Sequence, residues 1–167
     1  RNLYVSINIG ADDIKTGRIL TVLEKKLKNT GILFHQICLE VTEGRLLELV
    51  AANETINRAR QLGFIVAIDD FGTGYSSLLY LQNLSLDILK IDKSFVDTIE
   101  TDSATSSVTP HIINMAKTLQ LKIVAEGIEK QQQLDYLLNL DVEYGQGWLF
   151  SKALCIDAFK EFYSASH

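Results

Sequence analysis

The stretch Phe64-Ile-Val-Ala-Ile-Asp-Asp-Phe-Gly-Thr-Gly-Tyr-Ser-Ser-Leu78 decides how the rest of the chain reads. Five apolar residues run straight into two adjacent carboxylates, Asp69 and Asp70. Gly72-Thr73-Gly74 and a helix start at Tyr75-Ser76-Ser77 follow. So apolar a run fits a strand buried on both faces, as in a parallel sheet with helices over it. Successive strand side chains point to opposite faces, so Asp69 and Asp70 serve one site only if the chain bends there. The two glycines that follow permit that bend. Paired acids at the carboxyl end of a buried strand, under a glycine-bearing loop, point to a divalent-metal site.

Working outward, Leu3–Ile9 reads as the first strand, with Ser6 and Asn8 on one face and Val5, Ile7 and Ile9 on the other. Asp12 or Asp13 is placed to cap one helix with Ile19, Leu20, Leu23 and Leu27 inward, ended by Gly31. Ile37–Thr42 is a second strand. A helix carrying Leu46, Leu49, Val50, Ile56, Ala59 and Leu62 then stops at Gly63. Ile88–Asp92 is a fourth strand, followed by a polar surface loop between Val96 and Thr109. Pro110, the only proline, suits the first turn of a helix that buries Ile112, Ile113, Ala116 and Leu119. Lys122–Glu126 is a fifth strand, a helix with Leu134, Leu137 and Leu138 comes next, and Gln146–Phe150 is a sixth strand. A last helix turns Phe159 and Phe162 inward. This alternation is that of an α/β fold with a parallel sheet in one domain, residues 1–167.

Each strand ends in a polar or acidic residue: Asn8, Glu40, Asp69 with Asp70, Asp92, Glu126 and, more loosely, Gln146. In a barrel of strand-helix units all carboxyl ends meet on one face. An isolated acid after a strand usually caps the next helix or faces water. The series argues otherwise, and Glu40 and Glu126 are poor capping types. Lys90 lies inside the apolar run Ile88–Asp92, on the same face as Asp92. Its ammonium is costly to bury unless carboxylates or phosphate neutralise it. The bland alternative is a structural Lys90–Asp92 pair. The chemical one is a cation that holds a nucleophilic water or counters phosphoryl charge.

Composition narrows the classes. Hydrophobic residues make up 47% of the chain, enough for a substantial core. A net charge of −5 argues against a nucleic-acid polymer as partner. No window is long and apolar enough for a membrane span. Cys38 and Cys155 sit in separate apolar segments and read as buried free thiols, which suits a reducing cytoplasm. His35, His111 and His167 have no partner at ligand spacing. Acids and one lysine without histidine or thiolate ligands favour Mg²⁺ or Mn²⁺. Two such ions bridged by shared carboxylates suit phosphoester hydrolysis. No Ser-His-Asp or Cys-His arrangement and no GxxxxGK loop is present.

These residues resemble the EAL domain, a bacterial phosphodiesterase family that opens cyclic-di-GMP to linear pGpG on a modified TIM barrel. The resemblance runs along the whole chain through Ser6-Ile-Asn-Ile9, Leu39-Glu-Val-Thr-Glu43, Asp69–Leu78, Lys90-Ile-Asp-Lys-Ser-Phe95, Val124-Ala-Glu-Gly-Ile-Glu129 and Gln146-Gly-Trp-Leu-Phe-Ser-Lys152. It implies that Asn8, Glu40 and Asp69 hold one metal ion and that Asp69 bridges to a second held with Asp70. It further implies that Lys90 positions the attacking water with Asp92 beside it, and that Glu126 is a general base or organises metal and water. Gln146 and Glu129 match positions lining the substrate end, and Glu43 matches a brace of the loop Gly72–Leu78. In the family that loop couples metal binding to a homodimer interface.

The sequence departs from the family in lacking the Glu-Ala-Leu strand, whose glutamate is a metal ligand, and in showing about six strand-helix units where the family has eight. The expectation is therefore an incomplete barrel, cut at Arg1 from a parent with sensory or other signalling domains. Smaller departures are Ala153 for proline, Asp141 for glycine and Trp148 for another aromatic. Two other readings stay open. One is a non-catalytic module that binds cyclic-di-GMP or a protein. The other is an enolase-like barrel with a lysine base.

Overall fold

Among the described residues, the units from β1 to β5 each add one strand to the same sheet and helical cover to its outer side. The computed structural model describes residues 3–43, 53–73, 78–99 and 108–165. Among these, β1 (Val5–Asn8), β2 (Ile37–Thr42), β3 (Ile65–Phe71), β4 (Ile88–Ile91), β5 (Lys122–Ala125) and β6 (Tyr144–Gly145) form one sheet. All neighbours are parallel, in the order β1-β2-β3-β4-β5-β6. That order is the one in which a TIM-type barrel is laid down, and six strands leave the sheet open.

The period-two pattern sorts the strand side chains onto two faces. Leu39, Val41, Val66, Ile68, Leu89, Ile91, Ile123 and Ala125 point outward and join the helices in the main core. Cys38, Ala67, Ile88 and Val124 point inward and pack with Tyr4 and Ile65 in a second, smaller cluster. β2 to β5 are thus buried on both sides, as their continuous apolar runs imply. One layer further toward the carboxyl rim, the inward positions are Glu40, Asp69 and Lys90.

The helices follow their apolar stripes with some departures. The single first helix expected is two, α1 (Ala11–Lys15) and α2 (Arg18–Leu27), because Gly17 between them takes a left-handed conformation (φ 67°). Thr16 Oγ1 donates to the Asp12 carbonyl and finishes the first. The N-cap of α1 is Gly10, so neither Asp12 nor Asp13 caps it; both lie in its first turn. α3 (Asn53–Leu62) buries Ile56 and Ala59 and stops before Gly63; the earlier positions Leu46, Leu49 and Val50 lie outside the described residues. α4 (Leu78–Asn83) and the single turn α5 (Lys93–Val96) follow β3 and β4. α6 (Thr109–Thr118) has Pro110 in its first turn and buries Ile112, Ile113 and Ala116. In α7 (Gln131–Asn139) Leu137 is buried, but Leu138 is 56% exposed.

Two expectations near the carboxyl end are corrected. The sixth strand is only Tyr144–Gly145, earlier and shorter than Gln146–Phe150. A Cβ at Gly147 would overlap the Ile128 backbone, so the chain there lies tight against the loop after β5. It turns, with Phe150 N–H donating to the Gly147 carbonyl. The last helix, α8 (Ile156–Ala165), buries nothing, and Phe159 and Phe162 are 40% and 46% exposed. Its amphipathic stripe has no sheet face beneath it. Cys155, just before it, is likewise exposed, while Cys38 is buried. Among the described residues no helix is long and apolar enough to cross a membrane.

Candidate functional site

Parallel strands in register bring their carboxyl ends to one rim, and register fixes which side chains meet. Asn8 is level with Glu40, and Asp69 with Thr42. β4 lies between β3 and β5, with Lys90 level with Val124, two residues before Glu126. Lys90 is the centre of the group. Its Nζ lies 3.0 Å from Glu40 Oε1, 2.9 Å from Asp69 Oδ1 and 2.7 Å from Glu126 Oε1. Lys90 and Glu40 are each 6% exposed and Asp69 is 8% exposed. One ammonium facing three carboxylates offsets part of their charge and leaves the group net negative.

The electrostatics follow from that packing. Burial pulls the Lys90 ammonium down, and its hydrogen bonds to Glu126, Asp69 and Glu40 outweigh that, so its pKa is raised. Burial raises the Glu126 carboxyl, and Lys90 only partly opposes it. Asp70 is raised by burial, then by the negative charges of Asp69 and Asp92.

The carboxylates of Asp69 and Asp70 do come together, and the bend that allows it sits at Asp70 itself. Asp70 has φ 55°, and the register with β4 slips between Ile68 and Phe71. A β-bulge re-aims a side chain in this way, and Asp tolerates the left-handed region better than most residues. Oxygen atoms of Asp69, Asp70 and Glu126 come within 4.8 Å of one another. An all-oxygen set of that span fits a hard divalent ion.

The loop after β3 is pinned by Glu43, itself 3% exposed, whose Oε2 accepts from Gly72 N–H at 2.7 Å. Gly72 has φ 102°, and a Cβ there would drive into the Phe95 ring. Residues 74–77 lie outside the described residues, so the expected brace is described only at its Gly72 end.

Other expected site residues take different places. Asp92 does not pair with Lys90. Its Oδ1 accepts from Ser94 N–H and from Ser94 Oγ, and so caps α5. The bland capping reading therefore holds for Asp92, while the charge of its carboxylate still reaches Asp70. Glu129 is exposed and bonded to Lys93 Nζ at 2.8 Å, and Lys93 also reaches Asp97. The loop carrying Glu129 is held by the buried Gln133, whose Oε1 accepts from the N–H groups of Glu129 and Lys130. Asn8 and Gln146 are exposed at the rim.

Beneath the ion-paired layer is a cavity of about 250 Å³ lined by Tyr4, Ser6, Cys38, Lys90 and Gln146 among others. Tyr4 escaped the sequence reading, although the same alternation that puts Ser6 and Asn8 on one face puts Tyr4 there too. A second hollow of about 470 Å³ brings Gln146 and Glu129 together with Trp148 and Lys152. The Lys152 ammonium stands 5.2 Å from the centre of the Trp148 ring.

Known proteins share this fold. The chain is 48% identical over 151 residues to a protein of Escherichia coli (strain K12) called Probable cyclic di-GMP phosphodiesterase PdeB. The match covers 90% of this chain and 28% of PdeB. The chain thus spans less than a third of that relative's length. Its fold superposes on the phosphodiesterase PaMucR in its c-di-GMP complex with a TM-score of 0.87 at 31% identity, covering 93% of this chain and 64% of the other. For BlrP1 of Klebsiella pneumoniae in its manganese and c-di-GMP complex the TM-score is 0.81 at 26% identity, covering 90% and 39%. The family model for the EAL domain matches residues 1–153, leaving all of α8 outside the match, and with that match over these rim residues the chain belongs to the EAL domain family.

Proposed function

We propose that this chain carries most of the catalytic rim of a phosphodiesterase that hydrolyses cyclic-di-GMP to linear pGpG. The observation that carries the reading is the meeting of Glu40, Asp69 and Glu126, from separate strand ends, around the buried Lys90. Family membership and the c-di-GMP bound by PaMucR support the choice of substrate.

Two Mg²⁺ or Mn²⁺ ions are the proposed cofactors. Glu40 and Asp69, with Asn8 on the adjoining strand, would hold one, and Asp69, Asp70 and Glu126 the other. The chemistry such ions supply is activation of water and neutralisation of phosphoryl charge. This chain's residues do the rest. Lys90 holds the carboxylates in register and presents a positive charge toward the scissile phosphate. Glu126, its carboxyl raised by burial, is suited to take and return a proton or to organise metal and water. Asp92 fixes the start of α5 and keeps negative charge near Asp70. Glu43 holds the loop at Gly72. Gln146 and Glu129 would line the substrate end. A homodimer coupled to that loop, a parent with further signalling domains and a cytoplasmic location belong to the same proposal.

The test is pGpG release from cyclic-di-GMP with Mg²⁺ or Mn²⁺, for the wild type and for Asp69→Asn, which removes ligand charge without volume. Wild-type turnover that Asp69→Asn abolishes in a folded protein supports the reading. Near-normal turnover in Asp69→Asn removes Asp69 from the mechanism, and binding without turnover in the wild type leaves a cyclic-di-GMP receptor.

A further inference from the structure

We propose that Lys90 is a resident counter-cation that competes with divalent ions for the same carboxylates, so that metal uptake at this rim is an exchange of ligands from ammonium to metal. The inference rests on the metal-site reading above. A lysine ammonium has three hydrogens to donate. Those of Lys90 have three carboxylates to go to, at 2.7–3.0 Å, on three different stretches of chain. Its hydrogen-bonding capacity is filled by the residues proposed as ligands. Two of the three, Asp69 and Glu126, are also members of the oxygen group that includes Asp70. With Glu40, proposed for the other ion, all three carboxylates are contested.

The sheet leaves the ammonium little room to withdraw. Lys90 belongs to β4, hydrogen-bonded on both sides by β3 and β5, and its residue is 6% exposed. Exchange must therefore come from rotation about the side chain rather than movement of the strand. In the metal-free protein the ammonium holds together acids that would otherwise repel. When an ion arrives, the same ammonium is a like charge a few ångströms away in surroundings that screen poorly. Lys90 thus stabilises the metal-free fold and weakens metal binding.

The test measures Mn²⁺ binding by calorimetry and melting in chelator for the full chain and for Lys90→Met and Lys90→Arg. The expected result is that Lys90→Met melts lower in chelator yet binds Mn²⁺ about tenfold tighter or more, because the opposing charge is gone. Its melting temperature should also rise more on adding Mn²⁺ than that of the wild type. Lys90→Arg, which keeps the charge, should bind like the wild type. If Lys90→Met does not fold in chelator, Lys90→Gln is judged by the same affinity criterion. A Lys90→Met or Lys90→Gln protein that is folded and binds Mn²⁺ no tighter than the wild type overturns the exchange, as does failure of both to fold in saturating Mn²⁺. Wild-type protein that takes up no Mn²⁺ sinks the metal-site reading as well, whereas wild-type binding that Lys90 variants leave unchanged sinks the exchange alone.

Discussion

Cys38 and Cys155 show how far one side-chain type is governed by its position. Cys38 is 1% exposed among Ala67, Ile88 and Val124, whereas Cys155 is exposed. Burial, and then the Glu40 charge, push the Cys38 thiol up to about 12 from 9.0. A thiol-specific disulfide reagent should therefore titrate Cys155 alone in the native protein at pH 8, and both thiols after denaturation. The same shift makes a stability prediction. Folding favours the protonated thiol, so this contribution is complete below pH 9 and is lost as pH rises toward 12. Cys38→Ala should flatten the fall in melting temperature across that window. Asp141 is a second residue set by its backbone. It stands in the left-handed region (φ 53°), which accounts for glycine being usual there, and it pairs with Lys117 at 3.1 Å. Asp141→Gly should be nearly neutral. Asp141→Val, β-branched in that conformation, should lose about 1–2 kcal/mol in denaturant melts.

At the scale of elements, the short α5 makes Asp92 testable. Removing its cap with Asp92→Ala should cost about 1 kcal/mol, while Asp92→Asn, which can still accept from Ser94, should not. Loss of pGpG release in a stable Asp92→Asn would assign the charge, rather than the cap, to the chemistry. The loop after β3 offers a harsher case. Gly72→Ala puts a Cβ against Phe95 and Ile112 at a φ of 102°. The loop should shift and the Glu43–Gly72 hydrogen bond should break. We expect a lower melting temperature and weaker Mn²⁺ binding together, read by calorimetry on one preparation. The elements also show where sequence periodicity runs short. Gln146–Phe150 has the apolar content of a strand, but Gly147 packs on the Ile128 backbone and the chain turns. The apolar stripe Ile19, Leu20, Leu23 and Leu27 lies wholly within α2, because Gly17 separates that helix from α1. Both outcomes hinge on a single glycine whose conformation the apolar pattern does not reveal.

For the molecule as a whole, burial is unevenly shared. Leu89 is fully buried in the sheet, and Leu89→Ala should cost about 2–5 kcal/mol in denaturant melts. Ile156, at 66% exposed on α8, should cost about 0.5 kcal/mol or less when changed to Ala. Sequence alone carried the parallel α/β order, the strand-end series Asn8, Glu40, Asp69, Glu126 and the need to neutralise Lys90. Each of these depends on period, residue type or the cost of a buried charge, which are local properties. Only the tertiary structure decided that Lys90 meets Glu40, Asp69 and Glu126 rather than Asp92, that Asp70 turns into the site through a bulge, and that Phe159 and Phe162 stay exposed. Those outcomes depend on strand register and on which surface lies opposite, and both are set by contacts between residues far apart in the chain.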